Sequence, residues 1–377
     1  MTTGTTIYLD HQASAPVKAT VLEAMIPCFS VVYGNPHSAD HAVGWAAADA
    51  VEEARGRVAA AIGATAQELF FTSGATEANN LALLGIAAAA PPGGAVVVSA
   101  IEHRSVLAAA RALRDAGREL RVVPVRPDGL IDFDALERAL VGDVALVSIG
   151  LVNSEIGVVQ DLAAVSELCR SRDVPLHTDA TQALAWSALD VEAAGADFAS
   201  ISAHKVGGPQ GVGGLFVSAS ATDRIRPVLH GGGQEGGLRP GTLPTALCVG
   251  FGVACATLPD ERAVERWRDV TRRLHLRLEE AFPGLRLNGA PQPRHPGNLN
   301  VRLPGVDAEL LVARAQPRLA VSRGSACTSG MPEPSHVLRA LGLDADEASS
   351  SIRLSTGPFT AESEIEAAVE VLKAASP

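Results

Sequence analysis

Between residues 67 and 217, short apolar runs alternate with longer stretches in which apolar positions recur at helical spacing. The runs at 69–72, 95–99, 121–124, 144–149, 175–178, 198–201 and 214–217 predict strands. Between many of them, helical patterns lie at 77–90, 105–116, 133–140 and 162–171. Such alternation predicts an α/β fold: a mostly parallel sheet covered by helices. The Ala-Pro-Gly patch at 87–94 is expected to be a loop. After a glycine-rich run at 231–241 the texture changes. An amphipathic stretch at 262–282 predicts a connecting helix, and 285–287, 298–303 and 351–355 read as strands. The expected division is a large domain at 16–258 and a smaller α+β domain made from 1–15 and 259–377.

With 377 residues, 47% of them hydrophobic, the chain can bury a substantial core. Its 31 basic and 42 acidic side chains give a formal charge of −11, which argues against direct binding of nucleic acid or anionic membranes. No apolar run approaches the roughly 18 residues of a membrane helix. Residues 1–7 lack a basic start and apolar stretch, so a cytoplasmic protein is expected. Cys28, Cys169, Cys248, Cys255 and Cys327 form no Cys-x-x-Cys pair, which predicts neither a disulfide framework nor a zinc site. The first four lie in apolar or helical contexts and read as small buried hydrophobes. Cys327 differs, because Gly324, Ser325, Ala326, Ser329 and Gly330 around it are small and suit a thiol presented on a loop.

Candidate chemistry gathers in two segments. Lys205 lies in Ser202-Ala203-His204-Lys205-Val206-Gly207-Gly208-Pro209, and Asp179 in His177-Thr178-Asp179-Ala180-Thr181-Gln182. A lysine that holds and releases an aldehyde, with a carboxylate that keeps a ring nitrogen protonated, is the pairing pyridoxal 5'-phosphate requires. Thr72-Ser73-Gly74, Glu102-His103, Asn153-Ser154, Asp179 and Lys205 all fall at or just past predicted strand ends, where ligands of such sheets bind. Thr72 to Glu77 opens a helix straight after a strand. It reads as a phosphate cradle with the Thr76 hydroxyl, or as an ordinary Ser/Thr cap. His103 is open between a helix cap and a ring stacked on a flat cofactor.

Six ordered segments carry a resemblance: Tyr8-Leu9-Asp10 with Ala15-Pro16; Gly34-Asn35-Pro36 with His41; Phe71-Thr72-Ser73-Gly74-Ala75-Thr76-Glu77-Ala78-Asn79-Asn80; His177 to Gln182; Ser202 to Pro209; and Gly231-Gly232-Gly233-Gln234-Glu235 with Arg239 and Gly241-Thr242. The match continues through Ser322-Arg323-Gly324-Ser325-Ala326-Cys327-Thr328-Ser329, Glu333 to Ala340, and Ser351-Ile352-Arg353. Over nearly its whole length the chain resembles the cysteine desulfurases, pyridoxal-phosphate enzymes of the aminotransferase class V group. The resemblance implies the fold type I architecture and conversion of L-cysteine to L-alanine, with sulfur held as a persulfide on Cys327 for an acceptor protein. It also implies roles: Lys205 for the cofactor aldehyde, Asp179 for the ring nitrogen, Gln182 for the ring oxygen, and His103 for stacking and proton transfer. Ala75, Thr76, Ser202 and His204 would hold the phosphate, with Thr242 reaching it from the other subunit of a homodimer. Arg353 would grip the substrate carboxylate.

Departures from that pattern are expected to matter at the entrance. Ser154 stands where an asparagine is usual and offers fewer hydrogen bonds, which leaves its place in the substrate site in doubt. Gly236, Pro240 and Arg323 replace a usual arginine, serine and serine. The Ser-x-Gly-Ser-Ala-Cys form resembles the branch serving iron–sulfur assembly and tRNA thiolation. The chain ends at Pro377 without that branch's longer tail, which puts the usual scaffold partner in doubt and leaves room for a specialised role such as DNA phosphorothioation. A class V aminotransferase or selenocysteine lyase would share Lys205 and Asp179, and a non-catalytic sulfur-transfer scaffold is the reading from another class.

Overall fold

The computed structural model describes residues 6–186, 189–323 and 335–376. Its strands are β1 (Ile7–Tyr8), β2 (Leu69–Thr72), β3 (Ala95–Ser99), β4 (Leu120–Val123), β5 (Val144–Ser148), β6 (Leu176–Asp179), β7 (Phe198–Ser202), β8 (Gly213–Val217), β9 (Arg286–Leu287), β10 (Asn298–Arg302), β11 (Leu319–Ala320) and β12 (Ser351–Ser355). The helices are α1 (Ala19–Met25), α2 (Ala42–Ala60), α3 (Ala75–Ala89), α4 (Arg104–Asp115), α5 (Phe133–Ala139), α6 (Leu162–Arg170), α7 (Thr245–Ala256), α8 (Glu261–Ala281), α9 (Ala308–Ala315), α10 (His336–Ala340), α11 (Ala345–Ser349) and α12 (Glu362–Ala375).

Seven strands form one sheet in the order β2-β8-β7-β6-β5-β3-β4. Strand β8 pairs antiparallel with both β2 and β7, whereas the remaining pairs are parallel. Every residue of β3, β7 and β8 is buried, as expected of a sheet with helices on both faces. One apolar cluster joins α3 and α4 to the sheet around Leu83, Val96 and Phe198. On the other side Val97, Val147 and Val165 pack with Val337, Leu338 and Leu341, so α10 belongs to the core of the large sheet although it lies late in the chain. A third cluster brings α1, α2 and α7 together around Val51, Phe71 and Phe251.

The C-terminal part has its own core. Leu9 near the N-terminus packs with Leu274, Val301, Ile352 and Ile365, and β1 pairs with β11 in parallel. Strand β10 lies between β9 and β12 in a three-stranded antiparallel sheet. One local expectation fails: Ala87 to Ala89 belong to α3 and are not loop. Alanine is the strongest helix former, and Ala87 is buried in the α3–α4 cluster, so the helix continues until the turn that follows. Among the described residues no helix is long and apolar enough to cross a membrane.

Candidate active site

The parallel strands β2, β3, β5, β6 and β7 end on one edge of the sheet, and the residues following them line a cleft of about 430 Å³. Asp179 closes β6. Its Oδ1 accepts from the Thr181 amide at 3.0 Å and its Oδ2 from Asn79 Nδ2 at 2.8 Å, which hold the carboxylate in place. Beneath it, His177 is fully buried between the Ser148 and Ser200 hydroxyls, and burial pushes its basicity down. Lys205 follows β7 in a short turn and is half-buried. Its Nζ donates to the carbonyls of Gln12 and Ala13 at 2.6 and 2.8 Å. His204 beside it is pushed down to about 4, first by burial and then by the Lys205 charge, which leaves the ring neutral and near the Ser14 hydroxyl.

Helix α3 starts at the end of β2 with Gly74 as its cap, at φ +149° and with no side-chain cap. The Ser/Thr-cap alternative is therefore not realised: the Thr72 hydroxyl donates to the Gly74 carbonyl, and Ala75 and Thr76 begin the first turn. The backbone can approach this closely because Gly213 lies opposite; a Cβ there would fall 2.7 Å from Gly74 Cα. A helix start without a side-chain cap leaves amide N–H groups and the positive end of the dipole for an anion. Ser202, His204 and Thr76 line the same cleft. These residues fit pyridoxal phosphate: a donor-rich, anion-seeking end, an amine, a fixed carboxylate, and the ring of His103 on the cleft wall.

The helix-cap reading of His103 is realised. It is the N-cap of α4, its Nδ1 accepts from the Ser105 amide at 3.2 Å, and the ring lines the cleft. Arg353, at 1% exposure, comes from β12 of the smaller sheet. It donates to Asp10 Oδ1 at 2.5 Å and to the Ser154 carbonyl at 2.8 Å. Ser154 thus contributes its backbone to the arginine. Asn153 is occupied by its own turn, accepting from the amides of Glu155 and Ile156 and donating to the Ile101 carbonyl. Gln182 lines the cleft with its amide donating to the Gln12 carbonyl at 3.0 Å.

Of the residues singled out in the sequence, Ala75, Thr76, His103, Ser154, Asp179, Gln182, Ser202, His204, Lys205 and Arg353 line this one cleft. Thr242 does not; it is exposed after the glycine-rich run. Cys327 lies outside the described residues. Cys28, Cys169, Cys248 and Cys255 are buried and free, and burial pushes the last three up to about 12, so they are inert thiols. Residues given no role in the sequence analysis complete the cleft. Glu102 is pushed up to about 7 by burial, despite bonds from the Ser99 hydroxyl and Gly150 amide. Its place beside His103, just past a predicted strand end, marked it as a site position but gave it no role. Asn79 and Gln12 gave none that could be separated from ordinary polar positions.

The fold and the cleft define a class: the chain belongs to the aminotransferase class-V family, a family of pyridoxal-phosphate enzymes, whose model matches residues 7–368. Within it, the chain is 44% identical over 373 residues to the cysteine desulfurase IscS of Rickettsia akari (strain Hartford), covering 97% of this chain and 90% of that one. Among solved structures it resembles a NifS-like protein at 31% identity and TM-score 0.89, over 97% of this chain and 98% of the other. It is also similar to SspA in complex with cysteine, at 35% identity and TM-score 0.84, over 94% and 99% of the two chains.

Proposed function

We propose that this protein is a cysteine desulfurase that converts L-cysteine to L-alanine and keeps the sulfur as a persulfide on Cys327 for an acceptor protein. The observation that carries the reading is the convergence of Lys205, Asp179, His103 and Arg353 on one cleft with an anion-seeking helix start, in a chain close to desulfurases along its length. When bound, pyridoxal phosphate supplies an electron sink for the substrate amino acid. Lys205 would hold the cofactor aldehyde, and its amine would serve as the base for the substrate α proton. Asp179, anchored by Asn79 and Thr181, would keep the ring nitrogen protonated. The first turn of α3 with Thr76, Ser202 and His204 would bind the phosphate, Gln182 would meet the ring oxygen, and Thr242 would complete the phosphate site from the other subunit of a homodimer.

Arg353 orients the substrate carboxylate, and its planar fork suits bidentate binding. Ser154 supports that arginine through its carbonyl. His103 carries a proton between substrate and cleft. The Cys327 thiolate takes the substrate sulfur. The atoms balance as L-cysteine plus the Cys327 thiol giving L-alanine plus the Cys327 persulfide. Both sulfurs are oxidised to the persulfide level, and the substrate Cβ is reduced to a methyl group.

The test is alanine formed from L-cysteine with a reductant present. Wild type should form alanine, Cys327→Ser should bind the cofactor and form almost none, and Lys205→Ala should lose the absorbance of the lysine-bound cofactor. Equal alanine from wild type and Cys327→Ser would overturn the assignment.

A further inference from the structure

Asn79 lies on α3, one turn past Thr76, and is fully buried. Both hydrogens of its amide are committed: Nδ2 donates to Asp179 Oδ2 at 2.8 Å and to Ser105 Oγ at 2.8 Å. The orientation of the amide follows from its partner, because a carboxylate only accepts, so the nitrogen must face Asp179. Ser105 Oγ, having accepted from Asn79, has one hydrogen to give. His103 Nδ1 lies 2.7 Å away. The Ser105 backbone amide donates to the same nitrogen at 3.2 Å, and a backbone N–H cannot turn round to accept. Nδ1 is therefore an acceptor from two sides, and the proton of the neutral ring belongs on Nε2.

We propose that Asn79 and Ser105 are positioning residues that join Asp179 and His103 in one hydrogen-bonded line, fix Nε2 as the protonated nitrogen of the neutral His103 ring, and make that nitrogen the one that exchanges protons. The inference rests on the reading of His103 and Asp179 given above for its catalytic consequence, and on geometry alone for the tautomer. Each link is one hydrogen bond long: Asp179 to Asn79, Asn79 to Ser105, Ser105 to His103. The line runs through α3 and the start of α4, and none of its three hydrogen bonds is made by Lys205 or Arg353. Its loss should change proton transfer more than substrate binding.

The experiment uses the full chain loaded with pyridoxal phosphate and carrying ¹⁵N-labelled histidine, with the His103 signals assigned by their loss in His103→Gln. In wild type the neutral ring should show a protonated Nε2 and an unprotonated Nδ1. Asn79→Ala and Ser105→Ala should weaken that preference and shift the visible absorbance of the bound cofactor. Each should lower kcat for alanine formation about tenfold with KM for L-cysteine within about twofold. The double variant should be no worse than the poorer single one, since the two act in series. A wild-type ring protonated on Nδ1 would overturn the inference without any variant, and decides the matter if a variant fails to fold. Folded, cofactor-bound variants with wild-type kcat, absorbance and His103 signals would also overturn it. A wild type with the expected nitrogen signals and signal changes in the variants, but no alanine, would uphold the inference and remove the desulfurase reading instead.

Discussion

Two buried arginines in this chain each face a carboxylate, and they are built differently. Arg55 on α2 makes two bonds to Glu235, at 2.7 and 2.8 Å, its Nε donates to Glu52, its Nη1 also donates to the Leu69 carbonyl, and the Phe71 ring lies against the guanidinium. Glu235 in turn accepts from the Phe71 amide. Arg353 in the cleft makes one bond to Asp10 and one to the Ser154 carbonyl, and its Nε has no partner among the described residues. A closed pair spends its donors on the fold, whereas an open pair keeps a donor for something that arrives. The same guanidinium thus reads as structural or as ligand-binding according to how many of its hydrogens are already committed.

Breaking the closed pair should have the largest effect. Arg55→Ala leaves the Glu235 carboxylate, 2% exposed, without its cation. Removal of one partner from a buried pair costs about 3–5 kcal/mol. Urea denaturation of wild type and variant should show that loss with or without the cofactor. A change under 1 kcal/mol would mean that the pair is not the fastening of the glycine-rich run that it is taken to be here.

A buried acid with no guanidinium partner sharpens the contrast. Burial raises Glu102 to about 7 from an ordinary 4.5, so the folded chain holds this proton more tightly than the unfolded chain. Its contribution to stability is fully present below the unfolded value and is lost as pH rises through the folded one. By pH 8 the loss amounts to roughly 3 kcal/mol. Glu102→Gln removes the titration. In the cofactor-free protein the variant should therefore gain stability relative to wild type between pH 5 and 8. Parallel pH curves for the two would exclude a neutral Glu102.

Much of this was legible in the sequence because strand ends and ligand sites coincide. The segments ending at Thr72, Ser148, Asp179 and Ser202 are strands, and the chemical residues follow them. β12 falls where its apolar run predicts. The sheet order was not legible, because apolar runs do not encode their neighbours. Nor was the commitment of Arg353 to Asp10, which joins β12 to the N-terminal segment, or that of Asn79 to Asp179, which joins α3 to β6. Glu102 was legible as a strand-end position but its retained proton was not, because a charged residue read alone is expected to be solvated, and only the packing around it removes the water.

On the open pair, Arg353→Lys keeps the charge and the bond to Asp10 within reach but gives up the planar fork. Under the proposed role, KM for L-cysteine should rise about tenfold, equivalent to roughly 1.4 kcal/mol, with the fold stability little changed. A variant with unchanged KM and lowered stability would move Arg353 into the company of Arg55.

Between these two stands Arg239, half-buried, which bonds both oxygens of Glu77 at 2.7 and 3.1 Å. Glu77 sits in the first turn of α3, and it also accepts from the Ser73 amide at 2.6 Å. Burial pushes its carboxyl up, but the bonds from Arg239 and Ser73 outweigh that and hold it below the usual range. An ionised carboxylate beside the proposed phosphate site would repel the phosphate unless its charge were balanced, and Arg239 balances it. Arg239→Ala should therefore weaken pyridoxal-phosphate binding several-fold, about 1 kcal/mol, and more so at low ionic strength, where the uncovered Glu77 is less screened. Arg239→Ala combined with Glu77→Gln should recover most of the affinity, because the repelling charge is then gone. Titration of the cofactor-free variants with pyridoxal phosphate measures both. Failure of the double variant to recover would mean that Arg239 acts by fastening the glycine-rich run to α3, as Arg55 fastens Glu235, and not by covering a charge.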